Sequence, residues 1–131
     1  MVLVDTGVWI DFLRGKTTPE VDAVNSLLER EETIAFTGII LQELMQGCSG
    51  EKDADAIEKH FLPFIEIFPQ RRTYKLAARI YRDCRNRGFT IRSSVDCQIA
   101  ACAIEQNCSV HHRDRDFSVI EKVCGLKVFK E

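Results

Sequence analysis

Five carboxylates, Asp5, Glu43, Asp96, Asp114 and Asp116, are the residues of this chain whose types and places could do chemistry together. Each falls where a strand pattern ends or a helix pattern begins. Carboxylates gathered in one pocket repel one another, and some stay protonated unless a cation joins them. If these five converge, the expected product is a divalent-metal site. Oxygen-only donors suit the hard ions Mg²⁺ and Mn²⁺. Zinc is not expected. His111 and His112 are adjacent, so a strand would turn them to opposite faces, and His60 sits alone on a polar helix.

Each acid also has a plainer explanation. Asp5 could cap the helix that begins at Thr6. Ser93-Ser94-Val95-Asp96 reads as a capping box, with Asp96 reaching back to the cap residue. Asp114 and Asp116 could belong to a solvated turn, Arg-Asp-Arg-Asp, before a helix whose own box is Ser118 to Glu121. In an extended loop, however, residues i and i+2 face the same way, so the pair could serve one site. Glu43 resists a plain explanation most. At about 100° per residue it falls between Ile39 and Ile40 on its helix, where an unpartnered carboxylate costs several kcal/mol if buried.

The elements that must position these residues follow from patterning. Val2-Leu3-Val4 is a short apolar run, as in a strand buried on both faces. Helical patterning covers about 7–13. Thr18-Pro19-Glu20 starts a helix running to about 31, with a cap, a first-turn Pro and an acid at the positive dipole end. Strands are expected at 33–37, 64–68, 109–111 and 126–129. Further helices are expected at 39–46, 51–62, 73–87, 95–106 and 117–123. Strands alternating with helices imply an α/β fold: one domain over 1–131, with a central, mostly parallel, twisted sheet of about four to five short strands flanked by helices. In such sheets ligands bind beyond the carboxyl ends of the strands, where Asp5 and Asp114 fall.

The 131 residues suit one core. No apolar run approaches the ~20 residues that span a membrane, and the N-terminus does not read as a signal peptide. A cytoplasmic protein with reduced thiols is therefore expected. The six cysteines include no Cys-x-x-Cys, and Cys84, Cys97, Cys102 and Cys108 read as small core residues. Net charge is −2, but residues 71–92 carry eight basic side chains and one acid. That asymmetry points to a polyanionic partner or an acidic protein surface. Lys75, Arg79 and Arg82 share one face of the 73–87 helix, with Arg71 beside them if the helix extends that far. Arg14, Arg113 and Arg115, near the acids, are further candidates for phosphate contact. Tyr74, Trp9 and Phe89 read as core.

VLVDTGVWIDFLRG, ILQELMQG, SSVDCQIAACA and HHRDRDF resemble, in order, the four acidic motifs of PIN-domain nucleases. Length and motif order resemble VapC-type toxin ribonucleases of toxin–antitoxin pairs. The resemblance implies that Asp5, Glu43, Asp96 and Asp114 are metal-binding catalytic acids and that Asp116 is a further acid. It places Thr6 and Ser94 at supporting hydroxyl positions. It also implies one or two Mg²⁺ or Mn²⁺ ions, an RNA substrate, a cognate antitoxin, and a homodimer within a larger toxin–antitoxin assembly. His112 departs from the pattern, since a Thr often stands two residues before the last motif's acid.

Two other classes compete. A phospho-accepting receiver would bind Mg²⁺ in an acidic pocket, but it needs paired acids after the first strand, and Thr6 follows Asp5. A non-catalytic PIN-like binding module would have no need of intact acids. Val21, Val24, Leu27, Leu28, Ile57, Phe61 and Leu62, on the helices at 19–32 and 51–62, are expected to line an antitoxin groove.

Overall fold

A computed structural model describes all 131 residues. The elements are β1 (Val2–Val4), α1 (Thr6–Leu13), α2 (Pro19–Glu29), β2 (Ile34–Thr37), α3 (Gly38–Gln46), α4 (Glu51–Phe61), β3 (Ile65–Ile67), α5 (Arg71–Asn86), α6 (Ser94–Glu105), β4 (Ser109–His111) and α7 (Arg115–Cys124). The sheet order is β3-β2-β1-β4, and every pair is parallel. The α/β expectation holds, with four strands.

This order fixes the place of the site. From β1 the chain adds β2 and β3 on one side, then returns to add β4 on the other. The sheet therefore reverses direction of growth between β1 and β4. A crevice opens at their carboxyl ends, as expected at a topological switch point. The Asp5 N–H donates to the His111 carbonyl at 2.9 Å and carries the pairing to the lip of that crevice.

β1 is buried along its whole length because β2 and β4 flank it and helices cover both faces. The core is continuous and includes Leu3, Val4, Trp9, Leu27, Ile40, Ile80 and Phe117. Trp9 is fully enclosed, stacked on Phe64 with centroids 5.5 Å apart and met by Phe12 at its edge. His60 joins this cluster edge-on to Trp9, which removes it from any metal site. All six cysteines are free, and Cys84, Cys97, Cys102 and Cys108 are buried as expected. No helix is long and apolar enough to cross a membrane.

Three expectations fail here. The strand at 126–129 shrinks to a single bridge, Val110 to Val128. Only Val110 of three-residue β4 exchanges bonds with it, accepting from Phe129 N–H and donating to the Lys127 carbonyl, which is too little for a ladder. The apolar stripes of α2 and α4 are largely taken up by the chain's own packing: Val21, Val24, Leu27 and Phe61 are buried, most of them in its core, Leu28 and Ile57 are partly buried, and only Leu62 is widely exposed. Tyr74 is not core but half exposed on α5.

Candidate metal centre

The five acids are delivered by four separate parts of the fold. Asp5 is the N-cap of α1 at the end of β1, yet its side chain makes no capping hydrogen bond. Glu43 projects from α3, where Thr6 Oγ1 donates to its Oε1 at 2.8 Å and ties α3 to the start of α1. Asp96 lies in the first turn of α6. The expected capping box is absent: Ser93 makes no side-chain cap bond, and only its carbonyl accepts the Asp96 N–H. Asp96 is therefore free to face other groups.

Asp114, not Ser118, caps α7, and its Oδ1 accepts the Asp116 N–H at 2.9 Å. The pair is thus brought together by a helix cap rather than by an extended loop. Nor is the turn fully solvated, because Asp116 is only 2% exposed. Carboxylate oxygens of Asp96, Asp114 and Asp116 all lie within 4.8 Å of one another.

Asp5 and Glu43 border this triad, and the electrostatics record it. Burial raises the Asp96 carboxyl to about 7, helped by the charges of Asp5, Asp114, Asp116 and Glu43. Burial raises Asp5 to about 6, tempered by the Thr6 and Gly7 N–H groups and pushed back up by Glu43 and Asp114. Neither Asp5, Glu43 nor Asp96 has a Lys, Arg or His partner within 4.0 Å, whereas other buried acids of the chain do. Desolvated, mutually repelling carboxylates with no cation suit a hard divalent ion. Thr37 adds a further oxygen. It ends β2 at the level of Asp5, and its buried Oγ1 has no partner. The neighbouring histidines are committed elsewhere: His111 Nε2 lies 2.8 Å from the Glu20 carbonyl, and His112 Nδ1 accepts the Asp114 N–H. Where a hydroxyl often stands in the motif, His112 thus braces the backbone of an acid.

The remaining expected residues divide. Ser94 lies at the first position of α6, in a groove of about 410 Å³ with Tyr74, Tyr81, Arg82 and Gln98, and makes no hydrogen bond to the acids. Lys75, Arg79 and Arg82 line a shallow basic depression with Arg72. Arg79 is paired with Asp83 at 3.9 Å and Arg72 with Glu105 at 3.4 Å. Arg14 lies beside Glu43 in a small cleft, and Arg115 is exposed. Arg113 is engaged within the chain through its Nε. Its Nε is 2.8 Å from Asp11 Oδ2 and donates to the Gly7 carbonyl at 3.2 Å. A Cβ at Gly7 would meet that guanidinium at 3.3 Å, so the close approach favours glycine.

Two important residues escape sequence reasoning. Asp11, buried and paired with Arg113 and Lys16, clamps α1 to the loop after β4. Arg92 brings a cation to the acids: Nη2 is 3.1 Å from Asp114 Oδ1, and Nε is 3.6 Å from Asp116 Oδ2. Neither the Asp11–Arg113 pair nor the Arg92 pairs leave a local signal, since partners 22 or more positions apart meet only through the fold.

A parallel four-stranded sheet with acids at its switch point defines the class. The PIN domain family model matches residues 2–123, and the chain belongs to that family. Among curated proteins it is similar to ribonuclease VapC11 of Mycobacterium tuberculosis, 33% identical over 130 residues, covering 97% of this chain and 96% of the relative. Among solved structures it resembles VapBC-1 of nontypeable Haemophilus influenzae (TM-score 0.76, 19% identity, 99% and 98% of the two chains). It also resembles FitAB bound to a DNA fragment (TM-score 0.75, 25% identity, 98% and 94%).

Proposed function

We propose that this chain is a Mg²⁺- or Mn²⁺-dependent endoribonuclease and the toxin of a VapBC-type pair, neutralised by a cognate antitoxin. The observation that carries the reading is the gathering of Asp5, Glu43, Asp96 and Asp114 at the β1–β4 crevice, two of them with raised carboxyl pKa values and three without a cationic partner. Kinship with VapC ribonucleases supports the choice of RNA.

Asp5, Glu43, Asp96 and Asp114 would hold the ion. When bound, a divalent ion supplies Lewis acidity and an activated water for phosphodiester hydrolysis. Thr6 fixes Glu43 through its Oε1. Lys75 and Arg82 on α5, with Arg14 and Arg115 nearer the acids, have no ion-pair partner and are placed to take backbone phosphates. Tyr74 and Tyr81, beside Arg82 and Ser94, offer rings for an unpaired base.

The antitoxin reading now rests on the small cleft lined by Ile10, Leu13, Leu44 and Ile57, with Glu43 and Arg14 at its edge. A partner seated there would also obstruct the acids. Exposed Leu62, Ile65 and Phe68 around edge strand β3 leave apolar surface for a second copy or a larger assembly. Six unpaired thiols accord with a cytoplasmic setting.

Cleavage of total cellular RNA by the wild type and by Asp5→Ala and Asp96→Ala, with and without Mg²⁺, tests the reading. Cleavage confined to wild type plus metal is expected. Equal cleavage by all three would sink it.

A further inference from the structure

We propose that the site works with one divalent ion, and that the Arg92 guanidinium fills the position a second would take. This rests on the nuclease reading above and sharpens it.

The guanidinium spans the outer pair of acids. Nη2 donates to Asp114 Oδ1 at 3.1 Å, and Nε lies 3.6 Å from Asp116 Oδ2. Asp114 Oδ1 already accepts the Asp116 N–H, so both its acceptor directions are used and Oδ2 remains for an ion. Asp116 Oδ2 also accepts the backbone N–H of Arg92 at 3.0 Å. That second bond does not depend on the side chain. It holds a carboxylate that is 2% exposed against the loop before α6, whatever the guanidinium does. Asp116 is thus a positioning residue: it anchors the segment that leads to Asp96.

A second ion between Asp114 and Asp116 would have to displace a permanently charged, fork-shaped donor, itself largely exposed, and compete with a part-buried backbone bond. The other oxygens are different. Asp5, Glu43 and Asp96 have no Arg or Lys partner, and the Arg92 guanidinium bonds Asp114 through Oδ1 alone. The five acids therefore divide into one ion-binding half and one half neutralised by the chain itself.

Mn²⁺ titration of the metal-stripped, antitoxin-free chain, with bound ions counted by the loss of the free-ion paramagnetic resonance signal, tests this without activity. One ion per chain is expected for wild type and for Asp116→Asn, and two for Arg92→Gln. Two ions on wild type, or one on a folded Arg92→Gln, overturns the proposal. Should Arg92→Gln fail to fold, a Mn²⁺-soaked wild-type crystal decides through anomalous scattering. Arg92 still on Asp114 beside one Mn²⁺ supports the proposal, and Mn²⁺ between Asp114 and Asp116 overturns it. Two ions on wild type would leave the nuclease reading intact, whereas no binding by folded wild type would bring down both.

Discussion

The crevice at β1 and β4 and the outer face of α5 are both densely charged, yet they differ in what the charge costs. The acids of the crevice are withdrawn from water and crowded, so Asp5 and Asp96 hold their protons to about 6 and about 7. The basic side chains of α5 stand in solvent, and their ion pairs at 3.4 and 3.9 Å are of the exposed kind that contribute little. Costly charge has to be balanced by a ligand, and cheap charge can be spread over a surface. The first arrangement suits chemistry at one point, the second a grip along a polymer.

The largest expected effect breaks the crevice. Asp96→Asn removes a proposed ion ligand and should lower RNA cleavage by more than about 100-fold, since even outer partners of a metal site cost roughly 10–100-fold. A smaller loss in single-turnover cleavage would demote Asp96 to a bystander.

The pH dependence comes next. Asp5 and Asp96 have raised folded pKa values, so their stabilising contribution is fully present below about 3.8 and is lost as pH rises through about 6 and 7. Metal-free wild type should therefore show a melting temperature that falls by several degrees between pH 5 and pH 8. Asp96→Asn should flatten that fall, and Mg²⁺ should offset it above pH 7. A melting temperature independent of pH and metal would show that the crevice is not strained.

Arg113 separates the regions in another way. It is a basic residue beside the acids, but it is bonded to buried Asp11. Arg113→Gln should cost about 1–3 kcal/mol in urea unfolding by leaving that carboxylate short of donors, with Lys16 as partial cover. Its RNA affinity should keep the wild-type salt slope. A shallower slope would return Arg113 to the substrate.

The smallest effect tests α5. Arg82→Ala should weaken RNA binding and reduce the slope of log affinity against log salt by about 1, with stability unchanged. An unchanged slope would leave this face without a role in binding.

Much of this plan could be read from the chain because local patterns reflect local physics. Apolar Val2–Val4 announces a buried strand, Thr18-Pro19 a helix start, and Glu43 among isoleucines an acid in need of a partner. The sequence misled where a local motif competes with a tertiary contact. The Ser93 box suggests a use for Asp96 that the fold does not make, and the Ser118 box hides the true cap at Asp114. Periodicity shows which face of α2 and α4 is apolar but not what covers it, so side chains of the core looked like a docking surface. In the sequence Arg92 belongs with the basic segment, because its partners lie 22 and 24 residues away.

The order of the elements has a bearing on synthesis. The acids come from four separate places, the first at residue 5 and the last at 114 and 116, and β4 must slide in beside β1 before they meet. A nascent chain that has emerged only through α6 carries Asp5, Glu43 and Asp96 but lacks the strand and cap that complete the set. Threading order thus acts as a timer: translation delivers an inert intermediate for most of its course, and the site closes only when the last strand has docked.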